Sequence, residues 1–431
     1  MKLFFFLIYF FFYFNFVLAA NELIFYLESA YQNNPKLNAE RENFKATKEN
    51  ISISRSQFFP NLSVSGSIDS TESSNRKTQS GAPLSDTSNK KETTTISVDQ
   101  KVFQGFHGYN SLKKSQLEVK KADSKLKDLE QEIIFKASKA YVDLIYKTKS
   151  KKYNMSNVDL FERQVESDMA RLQKGEITLT DLAQSESSLA GARAKLISAE
   201  TELLMTKKNF ERLTRVSAPE KIEEKLKLNI NLPKSLKEAL KISKKNNLKL
   251  IMSELDFEIS KKDLSIEMAK ISPSANINYS KIENKDFSST EDRNDKESVK
   301  ATVSWPIIRG GKNYAAIKKS KFKKKYSDLI LQDTVNEIAT DTVNTWSIYQ
   351  SSKSVLKATR AQVEAAEIAN EGITLEYDSG NTRTTLEVIQ SRSLLLTARI
   401  SNAKAIRDFA VSKFELLSVL GKLSLENIKN T

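Results

Sequence analysis

The chain has 431 residues, 68 Lys and Arg against 54 Asp and Glu, a net charge of +14, no Cys and a single His. Without Cys there are no thiolate nucleophiles, thiolate metal sites or disulfides, and one His rules out His-cluster metal centres, so hydrolase and oxidoreductase chemistry lacks its usual side chains. Only 11 Gly and 7 Pro leave few tight turns, which argues against a Rossmann sheet or a many-hairpin sandwich, while 39% hydrophobic residues with 22 Phe exceed what a disordered chain carries.

In chain order, residues 1–20 come first. Lys2 precedes an apolar run from Leu3 to Leu18 that closes on Ala19 and Ala20. A charged start, a short apolar core and a small-residue end read as a secretory signal peptide; the alternative is a retained anchor close to the lower length for spanning.

The remainder predicts two structural repeats, 21–220 and 221–421, followed by a loose tail at 422–431. The first opens with an amphipathic helix at about 22–57, stopped by Pro60 because proline cannot continue a helix and restricts the residue before it. Two strands follow, at about 60–70 (Leu62, Val64, Gly66, Ile68) and 93–104 (Ile96, Val98, Gln100, Val102), since every second residue is apolar or small. The polar stretch 70–92 between them reads as a loop. Long helices then occupy 106–215, where apolar and small residues such as Leu126, Leu129, Ile133, Ala137, Ala140 and Leu144 step by three and four.

The second repeat runs through the same succession: a helix at 235–271 stopped by Pro273, strands at about 274–283 and 296–307, a polar loop at 283–296, and long helices at 312–420. Residues themselves recur. Asn34-Pro35-Lys36-Leu37 returns as Asn247-Leu248-Lys249-Leu250, Gly105 and Gly175 as Gly310 and Gly380, and the stretch 181–193 matches 387–399 at six of thirteen positions. Three matches in one order make an internal duplication.

Four strands cannot close a membrane barrel alone, so a chain that supplies four must either share a barrel with other copies or fold them as a small soluble sheet capping a coiled coil. The spacing leaves both open. The long helices are too charged to cross lipid.

From about residue 22 to 421 the chain resembles the TolC-type outer-membrane efflux proteins. The likeness is carried by Asn34-Pro35-Lys36-Leu37, Phe59-Pro60-Asn61-Leu62, the stretch from Trp305 to Gly311, and the stretch from Tyr377 to Val388. It implies a mainly α fold with a membrane β-barrel portion: a homotrimer in which four strands per protomer make one 12-stranded barrel in the outer membrane, while long antiparallel helices form an α-barrel in the periplasm. It also implies export of drugs, toxins or proteins together with a periplasmic adaptor and an inner-membrane transporter, by efflux or type I secretion. No enzyme activity, cofactor or nucleic acid is expected; outer-membrane lipid is. The rival reading is an exported coiled-coil protein that spaces or tethers the envelope.

The candidate site is the tip where each long helix turns back, at Gly175 and Gly380. After each glycine comes Thr-x-x-acid, Thr178 to Asp181 and Thr384 to Glu387, a capping box. By resemblance, three copies of Glu387 would face one another and constrict the tunnel, with Gln390 standing where the family has a second acid. Asp181 would bond Tyr377 and Arg383 across neighbouring helix pairs and hold the entrance shut. Elsewhere, Lys318–Lys325 reads as a basic helical surface near the inner leaflet, His107 as an interface residue, and Trp305, Tyr109, Tyr279 and Phe103 as an aromatic belt that would suit a soluble strand end as well.

Overall fold

A computed structural model describes residues 22–220, 222, 231–286, 291–379 and 383–429. The expected signal peptide at 1–20 and the tip residue Gly380 lie outside the described residues. The elements are α1 (Glu22–Asn33), α2 (Pro35–Ser56), β1 (Asn61–Ser73), β2 (Thr87–Gln104), α3 (His107–Gln173), α4 (Leu179–Thr214), α5 (Leu236–Asn246), α6 (Leu248–Ala269), β3 (Ser274–Lys285), β4 (Arg293–Ser304), α7 (Lys312–Asp378), α8 (Thr385–Val419) and α9 (Leu425–Lys429). No described helix is long and apolar enough to cross a membrane. They fall into two compact units, one drawn from Met1–Arg41, Lys125–Ile251 and Asp333–Thr431, the other from Glu42–Ser124 and Met252–Gln332.

In the first unit, the stepping residues of α3 become the core. Ile133, Ala137, Ala140 and Leu144 are buried with Leu27 of α1, Phe210 of α4 and Phe414 of α8. The Tyr26 and Phe210 rings meet edge to face with centroids 4.9 Å apart, and each fully buried large apolar side chain stabilises the unit by about 1.5–3 kcal/mol. α3 and α7 each have 67 residues, about 100 Å of helix at 1.5 Å per residue.

Three expectations need correction. The helices expected at 22–57 and 235–271 are each broken in two. Asn34 accepts from the backbone N–H groups of Lys36 (3.0 Å) and Leu37 (3.2 Å), and Asn247 from that of Leu250 (3.2 Å), so each asparagine caps a new helix instead of continuing the old one. The tail is not loose. Leu423 and Ile428 are 1% and 3% exposed in the first unit's core, and α9 carries the second of them there. The strands are longer than the apolar alternation. β1 reaches Ser73, β2 starts at Thr87, β3 reaches Lys285 and β4 starts at Arg293, because ladder pairing continues through Thr, Ser and Lys after the apolar residues end. The connection expected at 70–92 therefore shrinks to 74–86, and β4 stops at Ser304, short of 307, ahead of Pro306, which has no N–H to donate.

The second unit holds one antiparallel sheet in the order β1-β2-β3-β4. β2 carries an irregularity between Lys101 and Phe103. Where it turns into α3, Gly105 has φ +58°, and a Cβ there would lie 2.4 Å from the Cβ of Ser272. Only glycine fits that corner.

Candidate functional site

The tip is built by backbone caps. α3 ends at a left-handed Gly175 (φ +73°), whose N–H reaches Leu172 O at 2.9 Å while that of Glu176 reaches Arg171 O at 2.9 Å. α4 and α8 then start with matching capping boxes. The Thr178 N–H donates to Asp181 at 2.9 Å and the Asp181 N–H returns to the Thr178 hydroxyl at 3.3 Å; Thr384 and Glu387 repeat this at 2.8 and 3.3 Å. The Thr178 hydroxyl and amide hold the Asp181 carboxyl below the usual carboxylate range. Glu387 is held low by the Thr384 amide and then by the Arg383 guanidinium.

Within the chain the expected lock partners are tied elsewhere. Arg383 bonds Glu376 at 2.6 Å and Glu387 at 3.0 Å, and Asp181 is occupied by Thr178. Tyr377, 5% exposed, gives its hydroxyl proton to Asp168 at 3.0 Å and accepts one from the Thr385 hydroxyl at 3.0 Å. Gln390 is exposed on α8.

Asp168 is the residue that reading the sequence misses. It is 0% exposed and also accepts from Ser185 of α4 and from the Gln164 amide at 2.9 Å. Gln164 in turn accepts from Arg392 of α8 at 3.0 Å, and burial pulls the Arg392 guanidinium down from its ordinary value. The Arg171 guanidinium lies 4.6 Å from the centre of the Tyr377 ring. One buried carboxylate therefore joins α3, α4 and α7. Its signal was legible: with Phe161, Gln164 and Val165 it falls on the seam at helical spacing, a charge where an apolar side chain belongs.

The sheet has two unlike faces. Leu62, Val98, Tyr279 and Val299 stand directly opposite one another on one face, and Ser63, Ser97, Ser280 and Ser298 on the other. The serine hydroxyls pair at 2.7 Å (Ser63 with Ser97) and 2.9 Å (Ser280 with Ser298). Exposure is the reverse of a water-soluble sheet. Leu62, Val64, Ile68, Val299 and Val303 are between 64 and 75% exposed. Along β2, Thr93, Thr95 and Ser97 of the polar face are half-buried while Glu92, Thr94 and Ile96 are exposed.

Trp305, just past β4, donates its indole N–H to Ile271 O at 3.1 Å. The Phe103 and Phe106 rings meet edge to face at 5.7 Å. His107 opens α3, with its Nδ1 buried and without a hydrogen-bond partner among the described residues. Lys318, Lys319, Lys321, Lys323 and Lys325 are exposed on α7.

The sequence pattern of the outer membrane efflux protein family matches residues 26–214 and 242–422. The outer membrane efflux protein BepC of Brucella suis is 25% identical over 407 residues, 93% of this chain and 86% of that one. The outer membrane protein TolC of Vibrio cholerae is 21% identical over 410 residues, 93% and 90% of the two chains. Among solved structures, VceC from Vibrio cholerae superposes with a TM-score of 0.79 at 17% identity, over 93% of this chain and 96% of that one. The CmeC outer membrane channel of Campylobacter jejuni gives 0.79 at 13% identity, over 93% and 86%.

Proposed function

We propose, from the premise that this chain belongs to the outer membrane efflux protein family, how its geometry serves as a conduit. The protein is an outer-membrane channel and not an enzyme, with its helical part in the periplasm. Proteins of this type act as trimeric channels with adaptor proteins and inner-membrane transporters.

Three copies of this chain pool their four strands into one barrel, and lipid covers the apolar face. The observation that carries this is the inverted sheet: large apolar side chains are exposed on one face, while on the other the hydroxyls and amides of β2 and β3 are half-buried. Water penalises that arrangement and a bilayer rewards it. The same inversion disfavours the tether, whose sheet would hide its apolar face.

At the tip, Glu387 and Asp181 face the opening, with Gln390 one turn further along α8. Arg383 offsets part of the Glu387 charge, so the cation preference there is weak. Asp181 and Arg383 bridge neighbouring copies when they exchange their in-chain partners, while Tyr377 ties the two hairpins of one chain. Docking of the adaptor shifts these bonds toward an open set.

The test is the mass of the purified protein in mild detergent together with its conductance in a planar bilayer. A trimer that passes ions supports the reading; a monomer that passes none overturns it.

A further inference from the structure

The strand register assigns every charged residue of the sheet to a face. On the face of the serine row lie Asp69, Lys91, Asp99, Lys101, Lys296 and Lys300, an excess of two positive charges per chain. The two carboxylates have partners on that face. Asp69 stands opposite Lys91, and Asp99 stands opposite Asn278, whose amide donates to it at 2.8 Å. Lys101, Lys296 and Lys300 are exposed and make no ion pair among the described residues. Two ion pairs of the sheet, Lys281 with Glu283 and Arg293 with Asp295, belong to the opposite face.

Among the lysines' neighbours on that face only Asp99, two residues before Lys101, is acidic, and the face keeps its excess of two positive charges. Lys300 stands opposite Asn278, Lys101 opposite Asn276, and Lys296 opposite Ile282, with the serine row between the levels of Lys296 and Lys300. Hydroxyl and amide donors beside uncompensated ammonium groups suit oxyanions. Inside a water-filled wall of low dielectric their field is focused rather than dissipated.

We propose that the polar face of the sheet is an anion-binding wall, with Lys101, Lys296 and Lys300 as its specificity-determining residues, and that it favours solutes bearing several phosphate, sulfate or carboxylate groups on their way out. This rests on the channel reading above and adds the class of solute, with a charge preference opposite to that of the carboxylates at the tip.

The test uses the full chain in planar bilayers, with inositol hexakisphosphate as the probe. Added on the extracellular side it should block current at least tenfold more strongly than from the periplasmic side. The combined variant Lys101→Gln, Lys296→Gln, Lys300→Gln should raise the half-blocking concentration at least tenfold and move the reversal potential in a KCl gradient toward cations, while the matching Lys→Arg variant keeps the block. Binding of the probe to detergent-solubilised protein is measured in parallel by calorimetry. Block or binding that is absent, or unchanged in the Gln variant, overturns the proposal. Lysine-dependent binding in a protein that passes no current upholds the anion surface and overturns the channel reading instead.

Discussion

The hydroxyl of Tyr377 on α7 donates to the buried carboxylate of Asp168 on α3 at 3.0 Å, across 209 residues of chain. The bond joins the helix hairpin of one repeat to that of the other at the end where both turn back. Asp181, the acid that the resemblance places in this role, bonds only Thr178 among the described residues. We propose this bond as the in-chain latch, one helix away from where the sequence motif points.

Loosening that latch should open the tip. Tyr377→Phe removes one donor from Asp168 and leaves Ser185 and Gln164 in place, so the fold survives at a cost of about 1 kcal/mol. Single-channel conductance is expected to rise severalfold in Tyr377→Phe and more in Asp168→Asn, and by less in Asp181→Ala, which releases only the bonds between copies. A larger effect from Asp181→Ala would return the latch to the acid of the motif.

The capping boxes predict a pH response. Asp181 and Glu387 are both held below their ordinary values by hydrogen bonds of the folded tip. A carboxylate depressed in this way contributes stability above its unfolded value and loses it as pH falls through the folded value, so the tip should weaken as pH falls through and below the ordinary carboxylate range. Hydrogen exchange of α4 and α8 amides should report this, and Thr178→Ala, which keeps the backbone N–H but loses the hydroxyl, should reduce the α4 part while costing about 1 kcal/mol at neutral pH.

Neighbouring positions of β4 should respond oppositely to one substitution. Val299→Arg places a charge on the exposed apolar face, which costs about 2–4 kcal/mol at the bilayer midplane. Ser298→Arg places it on the sheltered polar face. Outer-membrane fractionation should show loss of the first and retention of the second; equal behaviour would mean that the two faces meet the same solvent.

The final segment should matter to stability. Leu423→Ala and Ile428→Ala each empty a fully buried site in the core of the first unit and should cost about 2–5 kcal/mol. Thermal unfolding of the two variants checks this, and an unchanged Tm would mean that the core closes without them.

How much of this the sequence discloses depends on whether a feature is local. Gly175, Thr178 and Asp181 can be read because turn and cap act within a few residues, and the duplication because Gly105 and Gly310 repeat in the same company. The breaks at Asn34 and Asn247 escape because an asparagine inside an apolar period resembles a solvated helix position until its side chain is seen capping. Leu423 and Ile428 are too few to show a period. Asp168 escapes for another reason: its partners come from α4 and α7, and it lies inside the helix seam rather than among the turn residues of the tip.

Counting from Gly175 and Gly380, the counterpart of Asp168 in the second repeat is Ile373, and that of Tyr377 in the first is Leu172. Acid and phenol thus occupy non-equivalent positions of the repeat, one helical turn apart, and each is aliphatic in the other copy. A ring of identical hairpins would have a single kind of seam and would loosen everywhere at once. In the trimer proposed above, that divergence would give two alternating seams, one within each polypeptide and one between polypeptides, so that the aperture would have hinges and edges rather than a uniform rim.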